Sequence, residues 1–203
     1  VHVSVRNDDN EAYGNKTTWG AGLGFQFDRN HRLRLSVGTA FKAPSFNDLY
    51  WPGYGDPTIE PEESISYELG YEGRYTNWFW DVAVFQSDVE DLSLPSPTGA
   101  DSVPEARLRG VELASGLEFG NWLLKVAATV GDYEDSQTGK QLRRRSEQTV
   151  RFDIDRTLGD WTLGATARAE SHRYDDDSNE DRLPGYGLID LRASWQFASG
   201  WST

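Results

Sequence analysis

The sequence predicts an all-β chain, an incomplete antiparallel transmembrane-type β-barrel of about eleven strands. Three observations predict it. The chain alternates apolar and polar residues with a period of two through most of its length, the spacing that puts one apolar and one polar face on a strand. Short turns recur near residues 29, 77, 121, 159 and 199, and every connection between them is longer, which places short turns at one end and long loops at the other. Aromatics collect beside the short turns: Phe25, Phe27, Trp78, Trp80, Phe119, Trp122, Trp161, Trp195, Phe197 and Trp201. Amphipathic rings suit a headgroup boundary, whereas an exposed row of Trp and Phe has no comparable rationale in water.

Taken in order, Val1, Val3 and Val5 alternate with His2, Ser4 and Arg6, and the acidic segment from Asp8 to Gly14 turns the chain. From Thr17 to Phe27 the apolar face is Trp19, Ala21, Leu23, Phe25 and Phe27, opposite Gly20, Gly22, Gly24 and Gln26; Asp28-Arg29-Asn30 is a tight turn. Leu33, Leu35, Val37 and Phe41 form the apolar face of one strand and Ile65, Tyr67, Leu69 and Tyr71 that of the next, joined by a long loop rich in Pro, Gly and aromatics whose length implies a function. After the turn Tyr75-Thr76-Asn77, Trp80, Val82 and Val84 face outward until the chain leaves the sheet near Asp88. A second long excursion is expected from Pro95 to Pro104, with Leu92 to Leu94 as a brief strand.

Leu108 to Phe119 returns with Val111, Leu113, Leu117 and Phe119 outward, and Gly120-Asn121 turns it into Trp122, Leu124, Val126, Ala128 and Val130. Acidic Asp132 to Thr138 is a third long loop. Val150, Phe152 and Ile154 mark the next outward face, and Leu158 to Asp160 turns it into Trp161, Leu163, Ala165, Ala167 and Ala169. The loop Tyr174 to Gly187 leads to Ile189, Leu191, Ala193, Trp195 and Phe197, and Ala198-Ser199-Gly200 begins a last turn.

Composition sets the outer bounds. The 203 residues hold eight Trp, nine Tyr, nine Phe and twenty Gly, with no apolar run near the ~20 residues of a membrane helix. Mean hydropathy is negative. That is no argument against a barrel, because lumen-facing polar residues dilute every strand. There is no Cys, which excludes a disulfide scaffold or thiolate metal site. The net charge of −13 argues against a nucleic-acid partner. The acid clusters between strands, at residues 8–11, 88–91, 132–135 and 175–181, where it reads either as solvated loops or as divalent-cation ligands; no twelve-residue calcium-loop pattern is present. The chain begins at Val1 with no signal peptide, so an outer-membrane protein with this sequence is expected to be a mature segment or fragment.

Chemistry is sparse. His2, His31 and His172 are isolated from one another, so no metal site is expected. Ser171-His172 lies near Asp175 but lacks a nucleophile-elbow context, so an outer-membrane hydrolase is a distant third reading, and neither catalysis nor a cofactor is expected. Arg34, Lys42, Glu68, Glu72, Glu112, Arg151, Asp153, Asp155, Arg168 and Glu170 share the polar face. They would line an aqueous channel in a passive porin, or clasp a folded plug in a gated receptor. Arg143-Arg144-Arg145 reads as a contact for lipopolysaccharide phosphates or an anionic ligand, or else as a solvated strand end. Tyr50, Trp51 and Tyr54 are the candidate ligand-binding residues: flat rings at a loop tip cover a bulky chelate at little entropic cost, although packing of the loop on itself fits them equally.

Gly38 to Tyr50, GTAFKAPSFNDLY, and the stretch GYGDPTIEPEESISYELGYEG that ends at Gly73 resemble TonB-dependent outer-membrane receptors, most of all the vitamin B12 (cobalamin) and the catecholate-siderophore and colicin receptors. The specific features are aromatic-Lys-Ala-Pro at a strand end, Gly-Asp-Pro in the loop and Pro-Glu-x-Ser at the next strand start. A weaker likeness continues through ARLRGVEL, LRRRSEQTV and PGYGLIDLRASWQF, so that essentially the whole chain is covered. The resemblance implies a barrel of about 22 strands, with residues 1–203 as part of its wall and the plug, early strands and last strands absent. It further implies a bacterial outer-membrane location, contact with outer-membrane lipid and lipopolysaccharide, uptake of cobalamin or a ferric siderophore, coupling to TonB through the plug, and a monomeric complete receptor.

Overall fold

The structure is a computed structural model, and it describes residues 1–11, 13–53, 55–96, 99–198 and 201–202. Eleven strands form one antiparallel sheet in chain order. They are β1 (His2–Asn10), β2 (Gly14–Gln26), β3 (His31–Lys42), β4 (Glu62–Arg74), β5 (Trp78–Ser96), β6 (Gly99–Phe119), β7 (Trp122–Asp135), β8 (Gln148–Leu158), β9 (Trp161–Glu170), β12 (Tyr186–Ala198) and β13 (Trp201–Ser202). A helix α1 (Phe46–Tyr50) interrupts the β3–β4 loop, and β10 (Arg173–Tyr174) with β11 (Arg182–Leu183) forms a small separate ladder before β12. The sheet does not close: β1 is one edge, and β12 pairs with β13 only through Gln196 and Ala198.

The strand number matches the expectation, although the strands are composed differently. Leu92 to Leu94 is the upper part of β5, and the expected excursion from Pro95 to Pro104 is the end of a long hairpin in which Ser96 opposes Gly99. Alternation failed as a signal there because apolar and polar residues need to alternate only where one face is covered, while ladder hydrogen bonds continue without it. The Asp8–Gly14 turn is likewise tight, with β1 reaching Asn10 and β2 starting at Gly14. The remaining long connections are residues 43–61, 136–147 and 171–185. The turns near 29, 77, 121 and 159 stand as expected, while Ser199 and Gly200 lie outside the described residues.

Register confirms the two faces. Cross-strand partners carry the outward row Leu117, Leu124, Ile154, Ala165 and Leu191 from β6 to β12, and the row Leu23, Leu35, Leu69, Val84 and Val111 from β2 to β6. Most of these side chains remain exposed, as do Trp161 and Phe197, while Leu124, Ile154 and Ala165 are half-buried. The buried apolar residues among those described are Ala83 and a small cluster of Val89, Leu92, Leu94, Ala106 and Leu142, so nothing in the sheet is a core of the soluble kind. Beyond Val84, Val111 and Val130 the outward face turns charged: Arg109 pairs with Asp132 at 2.7 Å, and Arg107 with Asp88 at 2.9 Å. At the other end, the short turns carry stacked rings, Trp161 on Trp195 and Tyr75 on Trp78. The side chain of Trp201 lies outside the described residues.

Candidate functional site

The long-loop end is built in two parts. The first is the β3–β4 loop. Ser45 caps α1 in a reciprocal box: its Oγ accepts from the Asp48 N–H, and Asp48 Oδ2 accepts from the Ser45 N–H at 2.8 Å. This arrangement satisfies two helix-start donors at once. The Ser45 donors also hold the Asp48 carboxyl below its ordinary range. The chain returns over the helix end, where the Asp56 N–H donates to the Asp48 carbonyl and the Gly55 N–H to the Trp51 carbonyl, both at 2.7 Å. A Cβ on Gly55 would stand 2.6 Å from the backbone nitrogens of Tyr50 and Trp51, so only glycine permits this approach.

The loop therefore presents rings on a fold of its own. Phe46 is 76% exposed, Tyr50 54% and Trp51 57%, with the Phe46 and Tyr50 rings 5.0 Å apart. Tyr50 and Trp51 are adjacent and exposed, with Tyr50 also against Phe46 of the same loop; Tyr54 lies outside the described residues. Phe46 was missed from sequence. Its signals were present, in the Ser45/Asp48 cap spacing and the i, i+4 placement against Tyr50, but five residues are too few to show helical period.

The second part is a wall of three tied loops. Leu142, 2% exposed, inserts between the β5–β6 hairpin and β7 among Leu92, Leu94 and Tyr133. Buried Arg143 donates to the Leu94 carbonyl at 3.1 Å and pairs with Asp177 at 2.7 Å. Arg144 pairs with Asp175 at 2.5 Å, and Gln141 and Asn179 exchange hydrogen bonds at 2.8 and 2.9 Å. Asp176 accepts from Ser178 Oγ and from the N–H groups of Glu180 and Asp181, which lowers its carboxyl to about 2. The arginine run and this acidic cluster thus hold each other, with Arg143 and Arg144 committed to loop carboxylates.

The wall is tied to the first part. Lys42 and Glu62, where the β3–β4 loop leaves and rejoins the sheet, both reach Ser93 of the hairpin at 3.1–3.3 Å. On the polar face below, Arg34 bridges Asp81 at 2.6 Å and Glu72 at 3.2 Å, with Glu68 at 3.9 Å. Arg192 joins Asp155 and Thr166, and Thr166 and Arg151 both donate to Asp153. Gly70 lets the Arg34 guanidinium lie flat, since a Cβ there would meet it at 2.6 Å. Glu112 and Arg168 are exposed on this face, and Glu170 accepts from Ser146 at 3.5 Å.

The three histidines stay apart. His31 spans two short turns, its Nδ1 2.9 Å from Asp28 and its Nε2 2.9 Å from the Tyr75 hydroxyl. Ser171 Oγ donates to the His172 carbonyl and accepts from the Gln148 N–H, while Asp175 is held by Arg144, so the hydrolase constellation is not assembled.

An open antiparallel sheet with one exposed apolar face, ringed by aromatics at its short-turn end, is a segment of barrel wall. All of residues 1–203 match the family model for the TonB dependent receptor-like β-barrel, and the chain belongs to that family. It is 34% identical over 201 residues to the vitamin B12 transporter BtuB of Photobacterium profundum, covering 95% of this chain and 33% of that protein. The vitamin B12 transporter BtuB of Vibrio vulnificus is 30% identical, covering 97% and 33%. Among solved structures, the ferric enterobactin receptor PfeA of Pseudomonas aeruginosa superposes with a TM-score of 0.79 at 19% identity, covering 98% of this chain and 35% of that one. The siderophore receptor PiuA of Acinetobacter baumannii gives 0.71 at 22% identity, covering 91% and 30%. These structures share the fold. The chain spans about a third of the length of the curated relatives it matches. The family is one of receptors, not of passive porins.

Proposed function

We propose that this chain is a length of outer-membrane barrel wall from a receptor that takes up a scarce metal chelate, cobalamin-like or a ferric siderophore, with energy from TonB. The observation that carries it is the group of exposed rings, Phe46, Tyr50 and Trp51, presented on a capped loop at the long-loop end of the sheet. Flat rings desolvate a bulky chelate without needing charge complementarity. The tied loops form a flank joined to it through Ser93, and the polar-face ion pairs offer a plug both signs of charge. A plug and further strands would complete the barrel as a monomer, the plug meeting TonB on the periplasmic side. The outward charged rows around Arg107 and Arg109 lie where lipopolysaccharide would stand, and the apolar band meets lipid. No covalent chemistry belongs to this reading.

Replacing Tyr50, Trp51 and Tyr54 together by Ala in the full-length receptor tests it. A stacked ring contributes about 1 kcal/mol, so affinity for cobalamin or a ferric catecholate is expected to fall more than about tenfold, with folding intact by heat-modifiable gel mobility. Unchanged affinity with normal folding would demote the loop to a spacer.

A further inference from the structure

The outward face of β8 carries a charge in the middle of an apolar row. Register aligns Phe119, Trp122, Arg156, Leu163 and Ala193 across β6, β7, β8, β9 and β12. The next row toward the loops, running through Leu124 and Ile154, is wholly apolar. β7 and β9 flank β8 on both sides, so the surroundings of Arg156 in the sheet are complete. Asp153 and Asp155 of the same strand point to the opposite face, where Arg151 and Arg192 hold them. Among the described residues Arg156 makes no ion pair. Its guanidinium lies over the Trp122 ring, 4.8 Å from the centroid.

A cation on a lipid-facing strand is tolerated near the membrane interface, where an anion can meet it. The level of Arg156 names that anion. It sits beside the turns at Gly120 and Gly159, at the end of the sheet where Trp161 and Trp195 stack, the depth at which indole rings meet headgroups. A cation–π contact with an indole restrains the guanidinium without using its N–H donors, which can then grip two phosphate oxygens.

We propose that Arg156, backed by Trp122, binds the phosphate of a phospholipid in the periplasmic leaflet. The proposal rests on the membrane reading above. The test is native mass spectrometry of the detergent-purified full-length receptor titrated with phosphatidylglycerol. Arg156→Gln is expected to weaken retention of one lipid about fivefold or more, and Arg156→Lys, which keeps charge but not the fork, to fall between. Equal retention in wild type and Arg156→Gln, or displacement of that lipid by millimolar inorganic phosphate, would overturn it. Heat-modifiable mobility of the wild type reports the barrel separately, so a receptor that never inserts sinks the membrane reading rather than this site.

Discussion

Asp176 shows how single residues shape the loops. Its carboxylate accepts from Ser178 and from two backbone N–H groups, and these donors, the Ser178 hydroxyl foremost, depress its pKa to about 2 from an ordinary 3.8. A depressed folded-state pKa means a contribution that is complete above the ordinary value and lost as pH falls through about 2. Amide exchange at Glu180 and Asp181, corrected for intrinsic rates, should therefore show protection that holds to about pH 4 and declines below it. Asp176→Asn should abolish that pH dependence. A wild-type profile flat from about pH 5 to about pH 2 would mean that the carboxylate does not order the turn. Such a role was invisible in sequence, where the acidic run 175–181 read as solvent-facing charge or cation ligands. Repetition of Asp hides that each copy has a different donor: Arg144, Ser178 and Arg143 in turn.

At the scale of the element, the β5–β6 hairpin is the part sequence reasoning misjudged and the part that organises the wall. Asp91 has φ 53, and directly after it Leu92 and Leu94 pack with Val89 and Leu142 beneath the loops. Leu142→Ala should cost about 2–3 kcal/mol of docking energy, the lower part of the range for buried leucine because the loop can relax. The expected readout is faster protease cleavage within 136–147 with unchanged barrel mobility on gels; equal cleavage would remove Leu142 as the anchor. Strands inside the apolar band were legible because each has one covered face, and register agreed from Leu35 opposite Leu69 to Ala193 opposite Leu163. Beyond the band both faces meet water or loop, so hairpin ends, α1 and the loop ladder left no periodic trace. The exposed rings of the β3–β4 loop were legible in part: Tyr50 and Trp51, but not Phe46.

The whole molecule is a sheet with two open edges and one apolar face. β1 lacks a neighbour on one side, and most of β12 beyond its contact with β13 does as well. Unpaired edge donors and acceptors beside exposed Leu23, Leu113 and Leu191 favour association in water. Residues 1–203 alone should elute as heterogeneous oligomers in plain buffer and require detergent to disperse. A sharp monomeric peak without detergent, with cooperative melting, would contradict the lipid-facing assignment. Within such a wall the polar-face clusters around Arg34 and Arg192 hold neighbouring strands together from inside.

The stacked rings at one end and the Arg107 and Arg109 ion pairs at the other also act as a ruler. On β6 the uncharged outward positions run from Val111 to Phe119. At about 3.4 Å per residue and a tilt near 40°, that stretch spans roughly 21 Å along the membrane normal. As the wall of the proposed receptor, a band of that height suits a thin hydrocarbon layer. In a thicker bilayer the charged rows would be dragged below the headgroups, so lipid would have to compress around β5–β7 or the strands lean further to keep those ions wet.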